Sequence, residues 1–167
     1  LAGNGGGAVS VYNLYSYLEF DVTNSTFDGN TSSTYGGAIN LGDINTGESG
    51  STYLVIDGST FTDNSSGTGG AVSVWGEKRG EAPTVVAISD STFSTNLSTG
   101  GGGAFFASSG VGSYGVGQVT ITDSTFTSNS AEYDGGAVYL GYTDASVSGS
   151  EFVGNYSGRV GGAIVGY

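Results

Sequence analysis

Cysteine and histidine are absent from this 167-residue chain, and proline and tryptophan occur once each. Without Cys there is no disulfide framework, and without both there is no thiolate or imidazole metal site and no Cys or His catalysis. Basic residues are almost as scarce, with Lys plus Arg numbering 3 against 15 Asp plus Glu, a net charge of -12. Nucleic acid and anionic lipid surfaces are therefore poor partners. No apolar run approaches the ~18 residues that a membrane helix needs, so direct membrane insertion is not expected. The first residue is Leu1 and nothing resembles a secretion signal, which reads as a processed product or a fragment of a longer repeat protein.

What is present is small. Gly 33, Ser 25 and Thr 18 together make 76 of the 167 positions, too many for an ordinary globular core or for helices. An internal repeat organises them. Gly-Gly-Ala followed by an apolar residue occurs six times, beginning at Gly6, Gly36, Gly69, Gly102, Gly135 and Gly161, in steps of 30, 33, 33, 33 and 26 residues. Between these triplets lies Ser-x-Phe-x-x-Asn, at Ser25/Phe27/Asn30, Ser59/Phe61/Asn64, Ser91/Phe93/Asn96, Ser124/Phe126/Asn129 and Ser150/Phe152/Asn155.

Aligned on Phe, the units alternate with period two, as strands with one buried face do. The columns Val22, Ile56, Ile88, Ile121, Val147 and Phe20, Leu54, Val86, Val119, Ala145 are expected to point inward. The residues between them are mostly small or polar and are expected to point outward. Three before Phe stand Asn24, Gly58, Asp90, Asp123 and Gly149, types that tolerate a left-handed backbone, so a bend is expected there. Three short strands and three corners per unit predict an all-β parallel β-helix (β-solenoid) of five coils plus a terminal strand, forming a single domain over 1–167.

The pairing of Phe-x-x-Asn with Gly-Gly-Ala-Val or Gly-Gly-Ala-Ile resembles the repeat of the chlamydial polymorphic outer-membrane proteins. That resemblance implies a right-handed coil and an extracellular or cell-surface protein with an adhesive or structural role. It does not extend to a membrane barrel, which these repeats do not contain.

The Asn30, Asn64, Asn96, Asn129 and Asn155 column is expected to stack as a ladder of side-chain amides. Four of these also open glycosylation sequons, as does Asn24, and Asn24 at its bend is the favoured candidate for a glycan. Asp90 and Asp123 occupy one column of adjacent units, an arrangement open to Ca²⁺ or to paired-carboxylate catalysis; the glycines in the same column favour a turn requirement instead. No metal, cofactor or catalytic residue is therefore assigned, and the protein is expected not to be an enzyme, with a polysaccharide-active β-helix enzyme as the least favoured class. Aromatic residues in or beside the variable loops, among them Tyr15, Trp75, Tyr114 and Tyr142, are the candidate ligand contacts, against the alternative that they are local packing. The expected partners are a surface protein or glycan, or further copies of the chain stacked end to end into a fibre.

Overall fold

The computed structural model describes residues 5–13, 17–43, 51–76, 84–109 and 116–167. Among them the chain forms strands and turns without a helix, in the order β1 (Val9–Asn13), β2 (Leu18–Thr23), β3 (Thr26–Asp28), β4 (Ile39–Asp43), β5 (Thr52–Asp57), β6 (Thr60–Thr62), β7 (Ser65–Ser66), β8 (Val72–Gly76), β9 (Thr84–Ser89) and β10 (Thr92–Ser94). There follow β11 (Leu97–Ser98), β12 (Phe105–Ser109), β13 (Val116–Thr122), β14 (Thr125–Thr127), β15 (Ser130–Ala131), β16 (Val138–Gly141), β17 (Asp144–Ser148), β18 (Glu151–Val153), β19 (Tyr156–Ser157) and β20 (Ile164–Gly166).

Strands one repeat apart pair in parallel and in register. They build four sheets, ordered β1-β4-β8-β12-β16-β20, β2-β5-β9-β13-β17, β3-β6-β10-β14-β18 and β7-β11-β15-β19. This is a parallel β-solenoid, each sheet being one face of the coiled chain. The fourth sheet is a difference from the sequence reading, which allots three strands to a repeat. Its strands are two residues long, and a two-residue strand leaves no alternation for a pattern to reveal.

Inward columns from three of the sheets make the core, Leu54, Val86, Val119 and Ile56, Ile88, Ile121 among them. Phe27, Phe61, Phe93, Phe126 and Phe152 stack ring on ring, with centroids 4.9, 4.7, 4.7 and 4.8 Å apart and ring planes within 6° of parallel. Opposite them lie Ile39, Val72, Phe105 and Val138, all fully buried. Ala145 and Val147 keep the inward register, paired with buried Val119 and Ile121, but every residue of β17 is exposed, because it is the edge strand of its sheet and no described repeat packs over it.

Both glycines of Gly-Gly-Ala have a steric cause. Gly69 has φ +65°, and a Cβ there would also strike the Val72 carbonyl; a Cβ on Gly70 would fall on the Gly103 carbonyl and on the backbone at Leu97. The first glycine supplies a left-handed turn, and the second lets the chain pass against the next repeat. Asn24, Gly58, Asp90, Asp123 and Gly149 all have positive φ. So do Gly29, Asp63, Thr95, Ser128 and Gly154, a second left-handed column two residues after Phe that its mixed residue types conceal.

Candidate functional site

The outer face of the first sheet carries a second aromatic row. The side chains facing away from Ile39, Val72, Phe105 and Val138 are those of the next residues, Asn40, Ser73, Phe106 and Tyr139, which are in register from strand to strand. Across them Tyr35, Trp75, Phe106, Tyr139 and Tyr167 form a chain of rings, one from each successive repeat, with centroids 5.6, 4.8, 4.7 and 5.6 Å apart. Tyr35 and Tyr167 are exposed, Trp75 and Tyr139 are half-buried, and Phe106 is buried in the middle.

Polar atoms are enclosed with these rings. Asn40 Nδ2 donates to the Tyr12 hydroxyl at 3.3 Å. Asn40 Oδ1, Ser73 Oγ and Trp75 Nε1 are buried and have no hydrogen-bond partner among the described residues. At the other end of the row the Tyr167 hydroxyl donates to Asp134 Oδ2 at 3.4 Å, and Arg159 lies 3.9 Å from the same oxygen. Burial, then the neighbouring Tyr167 and Asp134, raise the pKa of Tyr139 above the ordinary tyrosine value. Tyr17 is raised as well, chiefly because its hydroxyl donates to Glu19 Oε2 at 2.9 Å.

Of the candidate ligand contacts, Trp75 and Tyr142 lie within the described residues. Trp75 is not a loop residue, as the sequence suggests, but lies in β8, its ring tilted 36° against Phe106 and edge-on to Tyr35. Strand alternation turns it outward and its neighbours then hold it. Tyr142 is exposed at a turn with φ 53°, its N–H bonded to the Tyr167 carbonyl at 3.0 Å. Tyr15 and Tyr114 lie outside the described residues. Sequence reasoning missed Phe106 and Tyr139, although each directly follows an inward residue and period two alone turns it outward.

The asparagines are joined. Asn30 Nδ2 donates to Asn64 Oδ1, Asn64 to Asn96, Asn96 to Asn129 and Asn129 to Asn155, at 2.9 to 3.0 Å. Each Oδ1 also accepts the backbone N–H of the preceding asparagine, and Nδ2 of Asn64, Asn96, Asn129 and Asn155 donates to the Phe carbonyl of the preceding repeat. In Asn64, Asn96 and Asn129 both amide hydrogens and both carbonyl lone pairs are thus occupied, and all three residues are fully buried. Asn24 is exposed at its bend. A parallel serine ladder runs alongside, in which the N–H of Ser25, Ser59, Ser91 and Ser124 donates to the Oγ of the next repeat's serine at 3.1 Å. Asp90 and Asp123 are both exposed at left-handed bends, and no group of three or more acidic side chains able to hold a metal ion occurs among the described residues.

Stacked repeats, two side-chain ladders and an aromatic row on one face define a repeat-built parallel β-solenoid. Residues 24–41, 90–108 and 123–141 match the Chlamydia polymorphic membrane protein repeat, so the chain carries that repeat at three places. No curated protein and no solved structure matches the chain.

Proposed function

We propose that the chain is a non-enzymatic module of an extracellular or cell-surface protein, a right-handed β-helix of five coils plus a terminal strand that holds an adhesive flank away from its attachment point. The observation that carries this reading is the outer aromatic row, Tyr35 to Tyr167, in a chain that bears the polymorphic membrane protein repeat. Rings held by their neighbours lose little conformational freedom on binding, and exposed Tyr beside half-buried Trp suits a protein or glycan partner. The test is binding to arrays of immobilised glycans and of host-surface proteins. Wild type is expected to bind a member that Tyr35→Ala and Tyr142→Ala variants no longer hold, with circular dichroism unchanged; equal retention by the variants refutes the aromatic flank.

A second reading, stacking of copies into a fibre, is favoured by the polarity of the ladders. Each repeat donates from its serine and asparagine toward the following repeat and offers Oγ and Oδ1 to the preceding one. Any two repeats placed in sequence are therefore complementary, whether one chain supplies them or two do. Concentration-dependent filaments in electron micrographs are the expected result of this reading, and monomers at every concentration oppose it.

A further inference from the structure

The outer face of the sheet β3-β6-β10-β14-β18 is a regular grid of hydroxyls. Phe points inward at the centre of each strand, so the residues on either side of it point outward. Register sets Thr26, Thr60, Thr92 and Thr125 in one column, and Asp28, Thr62, Ser94 and Thr127 in the other. None of the nine residues of β6, β10 and β14 is ionisable, in a chain of net charge -12. Within the strands of this sheet acidic side chains stand in the outer repeats, as Asp28 and Glu151, while exposed Asp63, Asp90 and Asp123 lie at the bends that border the grid.

Successive Phe rings beneath this face stack with their planes within 6° of parallel, and the strands that carry them pair residue for residue. Along the solenoid the repeat is that of the ring centroids, 4.7 to 4.9 Å; across it, two residues of extended chain span about 6.7 Å. Both spacings lie close to oxygen–oxygen repeats on a prism face of hexagonal ice. Thr62 Oγ1 and Ser94 Oγ share a hydrogen bond at 3.2 Å and so depart from this repeat, which leaves the all-threonine column Thr26, Thr60, Thr92 and Thr125 as the regular one.

We propose that this face binds ice. The threonine hydroxyls anchor water at lattice points, the methyl groups between them keep that water from turning toward the protein, and the ordered layer joins the growing crystal. An uncharged, two-dimensionally periodic face fits an uncharged, periodic partner, and neither a peptide nor a single sugar chain repeats in both directions.

The experiment grows ice slowly from a dilute solution of the whole chain and measures protein in the ice and in the liquid, alongside the gap between freezing and melting temperatures of single crystals. Wild type is expected to be enriched in the ice and to open a gap. Thr92→Lys, at the centre of the grid, is expected to be rejected by the ice, whereas Thr120→Lys, on the outer face of β13, is incorporated like wild type. Circular dichroism checks the strands; should Thr92→Lys lose them, Thr125→Lys is read in its place. Rejection of wild type, or incorporation of a folded Thr92→Lys variant at the wild-type level, overturns the proposal. So does sedimentation showing that the face only pairs copies of the chain, with a dimer lost in Thr92→Lys and no partition into ice by either.

Discussion

Thr95 carries a side chain branched at Cβ in the left-handed region, with φ 53°, at a column where other repeats place glycine, aspartate or serine. That conformation costs an L-residue about 1–2 kcal/mol, part of which glycine returns through its freer unfolded chain. Thr95→Gly is therefore expected to stabilise the protein by about 0.5–1 kcal/mol, read as a higher urea midpoint with unchanged slope. Asn96 is the opposite case. Its truncation to Ala leaves the Asn64 N–H and one Asn64 Nδ2 hydrogen without an acceptor, and takes one donor each from the Phe61 carbonyl and the Asn129 Oδ1, in a fully buried site. A loss of about 3–5 kcal/mol is expected in the same measurement, larger than cavity formation by so small a side chain produces. Tyr139 gives a pH signature. A raised folded-state pKa means the neutral phenol is favoured in the fold, so its contribution is fully present below the unfolded value near 10 and lost as pH climbs through the folded one. Tyr139→Phe is expected to flatten the alkaline fall in melting temperature above pH 10, and an unchanged fall would contradict the burial of that phenol.

Strands are legible in this sequence where they are long enough to alternate. The column Leu54, Val86, Val119 reads as inward because it is apolar in every repeat, whereas the columns on either side of it mix in polar and small residues such as Gln118, Ala87 and Thr120, and the structure buries Leu54, Val86 and Val119. The bend at Asn24, Gly58, Asp90, Asp123 and Gly149 was legible for a different reason, since all five belong to the types that accept positive φ. Its counterpart at Thr95 and Ser128 was hidden because those residues do not advertise it. The outer aromatic row was hidden by dilution, for one register column holds Asn40, Ser73, Phe106 and Tyr139, and no pattern of residue types announces it. Among the elements, β10 is the most sensitive to truncation. Phe93 is fully buried between Phe61 and Phe126 at 4.7 Å on both sides, so Phe93→Ala opens a hole that the stacked rings above and below cannot close. The expected cost is about 3–5 kcal/mol, measured by chemical denaturation.

Among the described residues the asparagine, serine and Phe contacts recur from one repeat to the next, as nearest-neighbour interfaces do in a solenoid. The sheet between the Phe strands and the Gly-Gly-Ala strands adds only two residues per repeat, so the differing steps between triplets are absorbed elsewhere in the unit. The uniform polarity of the asparagine and serine ladders makes the repeat a genetic cassette. Excising residues 69–101 as a block joins Thr68 to Gly102 and brings Asn64 against Asn129, Ser59 against Ser124 and Phe61 against Phe126, with every donor still facing an acceptor. The shortened chain is expected to melt cooperatively with the strand signature of the parent, whereas excision of about half a repeat, 69–85, which sets Val86 where a Gly-Gly-Ala strand should begin, is expected to abolish folding. Unequal recombination between such repeats changes the length of the rod in whole coils, a mode of variation that leaves no damaged contact behind for later substitutions to repair.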